Sequence, residues 1–307
     1  MMTTTRALVA GWFSFDHGEA TAGDLLAADA ACAWLRDAGV DHDLALSPAF
    51  REAAPADHRG TVRGPGVDWA EVDPGDYTHV VFVCGPAAGR QVAELLDRFP
   101  RTRRVALGTS VIDGATAALP FDVVLERDSA ERARPDLSLA APAARVPLVG
   151  VVLAHPQPEY GARARHDDAH AAIDRVLSAR DLAVVRFDTR VDPREPGIRS
   201  AAAVEARVAR MDAVVSTRMH GLVLALRNGV PAVAVDPVAG GAKVSRQARA
   251  LGWPVALDAG GLDDADLAAA LDRCLNGDTR RLARRCATRA SAELARLRGA
   301  FLSGFVE

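Results

Sequence analysis

Residues 212–236 carry the pattern that most constrains the fold of this chain. An apolar strand leads into a polar turn that contains Arg218 and His220, and an apolar helix follows. A Gly-Val-Pro break at 229–231 ends the helix before a second apolar strand. This order predicts a unit of two parallel strands joined by a helix. In such a unit the turn lies at the carboxyl end of the strand and the amino end of the helix.

The predicted turn is suited to binding an anion. Free backbone N–H groups and the helix dipole attract negative charge there. Arg218 adds a forked cation, His220 titrates near neutral pH, and Gly221 allows a ligand to approach the backbone closely. A phosphate or a carboxylate suits this geometry, and the neighbouring Thr217 and Met219 are further candidate contacts.

Strand and helix signals alternate along the whole chain. In the first half, the apolar segments 8–13 and 79–84 lie on either side of a helical pattern over 23–35, and the alternation restarts at 147. Alternation of this kind predicts parallel sheets covered by helices on both faces. We therefore expect an α/β protein with two Rossmann-like domains facing a cleft, in a GT-B-like arrangement.

A stretch with two prolines and little periodicity, 131–146, separates the two halves. It predicts an N-terminal domain over 1–138 and a C-terminal domain over 139–278. The remaining residues, 279–307, read as one long helix rich in arginine and alanine. We expect this helix to pack back across the domains.

Bulk composition narrows the class of protein. The net charge of −3 gives no general attraction to nucleic acid or to an anionic membrane. No apolar run is long enough for a transmembrane span, and the first residues lack a signal-peptide pattern. The four cysteines have no metal-ligand spacing, which favours buried reduced thiols in a cytoplasmic protein.

Lys243 is the only lysine among 37 lysine and arginine residues. It follows the strand–turn–helix–strand unit closely, so it lies near the predicted anion site. Chance under a bias against lysine and a functional role explain this equally well on composition alone.

The first half contains two further candidate segments. Asp24 opens the helix after an early glycine-containing loop, where a carboxylate either caps the helix or handles a proton or a substrate hydroxyl. His17 and Glu19 lie in that loop and are within reach of the same space. For both, an exposed polar side chain with no further role is the favoured interpretation. Arg127 follows the strand predicted over 122–125, a position where most arginines are simply exposed.

His166 and His170 have the i, i+4 spacing of a helical metal site. A solvated helix start explains the same residues without a metal, and this interpretation is favoured. We therefore predict no metal site.

Residues 214–231 resemble the signature of the polysaccharide pyruvyl transferase family, a strand, Arg-x-His-Gly, an apolar helix and Gly-x-Pro. Asp236 and Lys243, followed by 250–254, are also similar to the pattern of that family. Gly23-Asp24 resembles its early Gly-Asp motif. Arg127-Asp128-Ser129 resembles its mid-chain Arg-Asp-x-x-Ser segment, with the serine two residues early.

The chain departs from the family in its first half. Ala22 stands where the family usually has asparagine before Gly-Asp. The segment 84–89, Cys-Gly-Pro-Ala-Ala-Gly, replaces a run of glycines. The chain is also short for the family.

The resemblance implies transfer of pyruvate from phosphoenolpyruvate to two hydroxyls of a sugar, glycolipid or glycoside, which gives a cyclic ketal and phosphate. Residues 139–278 would bind the donor, and 1–138 the acceptor. His220, Asp24 and Arg218 are the implied catalytic residues, with Arg127 and Lys243 as donor contacts. Phosphoenolpyruvate is a co-substrate, so no cofactor is expected.

Two other functions compete with this one. A GT-B glycosyltransferase or sugar-nucleotide enzyme often carries a ribose-binding glutamate in the helix after the glycine turn, but positions 222–230 contain no carboxylate. A non-catalytic binding protein that keeps the site is the other alternative. A homodimer is possible.

Overall fold

The computed structural model describes residues 5–16, 20–52, 66–112, 119–130, 132–142, 145–191 and 198–305. The chain divides into two compact units, Met1–Arg145 and Val146–Glu307. Each unit is an α/β structure built on one parallel sheet.

The described residues of the first unit form five parallel strands and three α-helices. The strands are β1 (Arg6–Ala10), β2 (Asp41–Leu44), β3 (His79–Val83), β4 (Arg103–Ser110) and β5 (Val123–Asp128). The helices are α1 (Ala22–Asp37), α2 (Pro48–Glu52) and α3 (Arg90–Arg98). The strand order is β2-β1-β3-β4-β5.

Alternate residues of these strands face two apolar layers. Val9 and Val81 pack with the alanines of α1, whereas Leu8 and Phe82 pack with α3. Because side chains alternate across a strand, both faces of the sheet are buried under helices.

Strand β2 was not predicted, because it has no apolar signal in the sequence. Its residues are Asp-His-Asp-Leu, but it pairs in parallel with β1 at the sheet edge. Asp43 accepts a 3.0 Å hydrogen bond from Arg6 Nε and a 2.9 Å bond from the Tyr77 hydroxyl. Partners distant in sequence therefore satisfy Asp43, one of the polar side chains that obscure this strand in the sequence.

The second unit contains five parallel strands and six helices among its described residues. The strands are β6 (Leu148–Val152), β7 (Ala183–Arg186), β8 (Ala213–Ser216), β9 (Ala232–Asp236) and β10 (Ala256–Asp258). The helices are α4 (His166–Ser178), α5 (Ala201–Val208), α6 (Met219–Arg227), α7 (Lys243–Leu251), α8 (Asp264–Leu275) and α9 (Thr279–Ser303).

The second sheet has the order β10-β9-β8-β6-β7, which repeats the winding of the first. In both units the first strand lies between the second and the third, so the direction of winding reverses between the first and third strands. In the second unit this point lies between β6 and β8, where Val152 pairs with Ser216. The loops that follow these two strands therefore begin side by side.

Helix α9 is covered only along its first half. Ala283 and Cys286 are buried, and the helix packs on α6, α7 and α8. Every residue from 291 to 303 is exposed, including Leu294 and Leu297. The expected packing of this helix across the domains stays a prediction.

All four cysteines are buried free thiols, as predicted. Burial raises the pKa of Cys32 to about 11 and the pKa of Cys84 and of Cys274 to about 12. These thiols stay protonated near neutral pH, which makes them unreactive.

The predicted α/β class, with two parallel sheets and helices packed on them, is confirmed. None of the helices within the described ranges combines the length and the hydropathy that a bilayer crossing requires.

Candidate functional site

A pocket of ≈ 680 Å³ lies in the second unit at the carboxyl ends of its central strands. Its lining comes from the segments that follow β6, β7, β8 and β9, and from the start of α7: residues 154–160, 190, 217–220, 236–238 and 242–244. This edge of a parallel sheet, beside the reversal of winding, is where ligands bind in folds of this kind.

Side-chain hydrogen bonds fix the turn after β8. Ser216 Oγ accepts a hydrogen bond from Arg218 N at 3.0 Å and donates to Arg218 O at 2.8 Å. Thr217 is buried, and its Oγ1 accepts a 2.8 Å bond from Ala154 N in the loop after β6. These bonds tie the two loops together and fix where Arg218 begins helix α6.

Arg218 is the most enclosed cation of the pocket, with 20% of its side chain exposed. Its Nε lies 3.3 Å from Asp188 Oδ1, an ion pair whose angles do not make a hydrogen bond. Within the described ranges, its Nη atoms have no acceptor. The outer edge of the guanidinium is therefore available to a ligand.

His220 is exposed in the first turn of α6, and Met219 before it is half-buried. The first turn of a helix has backbone N–H groups with no partner inside the helix. Arg218, Met219 and His220 all line the pocket, so the site combines a fixed cation, an imidazole ring and a helix dipole.

Gly221 has a packing role, and its role in ligand approach stays a prediction. It is buried, and a Cβ at this position would lie 2.1 Å from Ser216 Oγ and 3.1 Å from Val152 Cβ. The glycine therefore allows α6 to sit directly on the ends of β6 and β8.

Lys243 stands exposed at the start of α7, with its Nζ 5.7 Å from the centre of the Tyr160 ring. The buried Asp236 supports this segment, because its carboxylate accepts bonds from Val238 N, Ala242 N and Ser245 N. Asp236 thereby compensates the amino end of α7 and places Lys243 at the rim of the pocket.

Three residues at the site were not predicted from the sequence. Asp188 and Arg190 follow the end of β7, and His155 follows β6; His155 and Arg190 line the pocket. The signal that identified Arg127, a charged residue just after a strand, was also present at Asp188 and Arg190. Nothing in the sequence indicated that these loops lie beside Arg218.

The candidate residues of the first unit are held by local partners. Asp24 Oδ2 accepts 2.8 Å hydrogen bonds from Thr21 N and Thr21 Oγ1, which makes it part of the amino-terminal cap of α1. Arg127 lies within β5 and donates to Asp136 Oδ2 at 2.8 Å and to Ser110 Oγ at 2.7 Å.

The remaining candidates, His17 and Glu19, lie outside the described residues.

The interpretation of His166 and His170 as a solvated helix start is wrong for His166. Its ring is buried, and neither nitrogen has a hydrogen-bond partner in the described part of the chain. Helix α4 turns this face inward, toward the apolar core formed by Ala169 and Ile173. Within the described ranges, no three His, Cys, Asp or Glu side chains cluster as metal ligands would.

Buried His166 is expected to make the fold sensitive to acid. Burial lowers the pKa of His166 below its ordinary value of 6.5, with Asp167 and Asp236 opposing the effect. The unfolded chain therefore binds this proton more readily than the folded protein. Stability is highest above about pH 6.5, where the ring is neutral in both states, and the free energy of unfolding decreases as the pH falls below this value. Between about pH 7.5 and about pH 5.5, the free energy of unfolding should drop less in His166→Phe than in the wild type, by up to about 1 kcal/mol.

Urea unfolding at the two pH values measures this difference. His220→Gln, which replaces an exposed histidine of the same unit, is the control and should show the same drop in free energy of unfolding between the two pH values as the wild type. A drop in His166→Phe equal to that of the wild type would contradict the prediction.

Residues 151–237 match the model of the family described as polysaccharide pyruvyl transferase. The matched segment begins at the end of β6 and contains the turn with Arg218 and His220 and strand β9. Lys243, Asp24 and Arg127 lie outside it. No curated protein matches the chain significantly.

Several solved structures match over most of their length, with low scores. The spinosyn rhamnosyltransferase SpnG, complexed with thymidine diphosphate, is 12% identical, with 94% of this chain and 96% of that chain covered and a TM-score of 0.33. The glycosyltransferase SnogD from Streptomyces nogalater is 17% identical, with coverage of 96% and 99% and a TM-score of 0.31. The UDP-GlcNAc 2-epimerase from Methanocaldococcus jannaschii is 8% identical, with coverage of 90% and 94% and a TM-score of 0.31.

At these sequence identities and TM-scores, the function of the chain is inferred from its own residues. The segment that builds most of the pocket, 151–237, carries the sequence pattern of the polysaccharide pyruvyl transferases.

Proposed function

We propose that the pocket of the second unit binds phosphoenolpyruvate and that the protein transfers its pyruvyl group to two hydroxyls of a sugar or glycoside. One observation carries the proposal. The family-matched turn after β8 presents the free edge of Arg218, the His220 ring and the first turn of α6 to one pocket. This combination suits a small donor with both a phosphate and a carboxylate.

The reaction balances with groups of this kind. The methylene carbon of phosphoenolpyruvate takes up one proton and becomes a methyl group, which leaves an oxocarbenium-like centre. One acceptor hydroxyl adds to this centre and loses its proton. The bond from carbon to the phosphate oxygen then breaks, the second hydroxyl adds, and its proton is released. The products are the cyclic ketal and phosphate.

The residues have distinct parts in this scheme. Arg218 binds the anionic donor, and Lys243 supplies a further cation at the rim. His220 contacts the phosphate or transfers a proton, a contribution of roughly 10²–10⁴-fold in rate. Arg127 as a donor contact and Asp24 as the residue that orients the acceptor or accepts its proton are proposals carried by the resemblance.

The test is an incubation of the purified protein with phosphoenolpyruvate and a panel of sugars and glycosides. Release of phosphate that depends on the acceptor, with a product heavier by one pyruvic acid minus one water, supports the proposal. A parallel incubation with nucleotide sugars separates the alternatives: a glycosyltransferase releases nucleotide, and a binding protein releases neither.

A further inference from the structure

The carboxylate of Asp188 contacts the Nε atoms of two arginines that line the pocket, Arg190 and Arg218. Asp188 Oδ2 accepts a 2.9 Å hydrogen bond from Arg190 Nε, and Asp188 Oδ1 lies 3.3 Å from Arg218 Nε. Asp188 Oδ1 also accepts a 3.0 Å bond from Arg190 N, which fixes the loop after β7. The two guanidiniums therefore share a single anchor between them.

An arginine held through Nε keeps its outer nitrogens for other partners. Arg218 has both Nη atoms available within the described part of the chain, as shown above. Arg190 Nη2 lies 2.8 Å from His155 Nε2, which must accept this bond because arginine only donates. Among the described residues Arg190 Nη1 has no acceptor, and 67% of the Arg190 side chain is exposed at the pocket.

Asp188 and its two arginines, Arg190 and Arg218, together carry a net positive charge. Burial acts to raise the pKa of Asp188, but the bond from Arg190 N and the charges of Arg218 and Arg190 outweigh it and lower the pKa. Asp188 is therefore ionised at neutral pH and offsets only one of the two arginines. The pocket lining contains two further carboxylates, the exposed Glu159 and the buried Asp236. Asp236 is saturated by backbone N–H groups.

We propose that Arg190 is a second guanidinium of the donor site, which binds an anionic group of phosphoenolpyruvate together with Arg218. Asp188 is a positioning residue that aligns both arginines. This inference rests on the proposed function and deepens it, because it assigns a recognition role to the loop after β7.

The first test is Arg190→Gln. Loss of a charge-assisted contact should raise the Kd for phosphoenolpyruvate, measured by calorimetry, by about 10- to 100-fold. The KM for phosphoenolpyruvate in the phosphate-release assay should rise equally, with kcat changed by no more than a few-fold. Arg186→Gln is the matched control, because Arg186 pairs with Asp174 and does not line the pocket. It should leave Kd and KM unchanged.

The second test separates alignment from charge at Asp188. Removal of a carboxylate makes the pocket more positive, so a purely electrostatic role predicts tighter binding of the donor in Asp188→Ala. Alignment predicts the opposite, a KM at least about 10-fold higher. Asp188→Asn, which keeps one acceptor oxygen, should recover part of this loss. Thermal unfolding of each variant shows whether the fold is intact.

The outcomes are distinguishable. If the wild type binds no phosphoenolpyruvate, the proposed function fails and the inference fails with it. If the wild type binds and turns over phosphoenolpyruvate but Arg190→Gln matches it in Kd and KM, only the role of Arg190 is overturned. If Asp188→Ala binds the donor as tightly as the wild type or more tightly, the positioning role is overturned.

Discussion

His220→Ala is expected to lower phosphate release from phosphoenolpyruvate by about 10²–10⁴-fold while the protein remains folded. The ring is exposed in the first turn of α6, so its removal takes away a proposed donor contact and little packing. Arg218→Gln should also lower turnover, and it should weaken donor binding, because Arg218 is the enclosed cation of the pocket. Initial rates with saturating acceptor, combined with calorimetry of phosphoenolpyruvate binding, separate the two effects.

Arg227→Ala is the matched control for both variants. Arg227 ends the same helix and is largely exposed in an ion pair with Glu205, away from the lining of the pocket. It should turn over phosphoenolpyruvate at the rate of the wild type. Turnover near the wild-type rate in His220→Ala would remove His220 from the mechanism. Unfolding of that variant would mean that the ring supports the structure instead.

Gly221→Ala is expected to destabilise the second unit by about 1–3 kcal/mol and to displace the turn that carries Arg218. The added Cβ would lie 2.1 Å from Ser216 Oγ, and that hydroxyl bonds both Arg218 N and Arg218 O. The two cannot coexist without a shift of α6 or a break in this network. Urea unfolding measures the loss of stability, and donor affinity should fall in the molecules that remain folded.

Gly299→Ala provides the control for this substitution. Gly299 lies in helix α9, and a Cβ there would meet no heavy atom within 4 Å among the described residues beyond the backbone of its own helix. Alanine is the better helix former by about 1 kcal/mol, so this variant should be unchanged or slightly more stable. A Gly221→Ala protein with wild-type stability and wild-type donor affinity would contradict the packing role.

The sequence alone predicted the α/β architecture and the turn that lines the candidate pocket. Apolar strands alternating with amphipathic helices predicted two parallel sheets, because each signal is local and repeats along the chain. Arg218 and His220 were predicted for the same reason, whereas Lys243 was singled out as the only lysine of the sequence. A strand, a polar turn and a helix in direct succession place the turn at the carboxyl edge of the sheet wherever the strand lies.

The tertiary structure decided which distant residues join them. β6 and β8 lie side by side although Val152 and Ser216 are 64 residues apart, and this pairing gives Gly221 its packing role. Asp188 and Arg190 reach Arg218 because β7 pairs with the other edge of β6, a neighbour that no local pattern specifies. The burial of His166 and the pairing of the polar strand β2 have the same origin. Periodicity reports which face of an element is apolar, but strand order determines what each face and each loop meets.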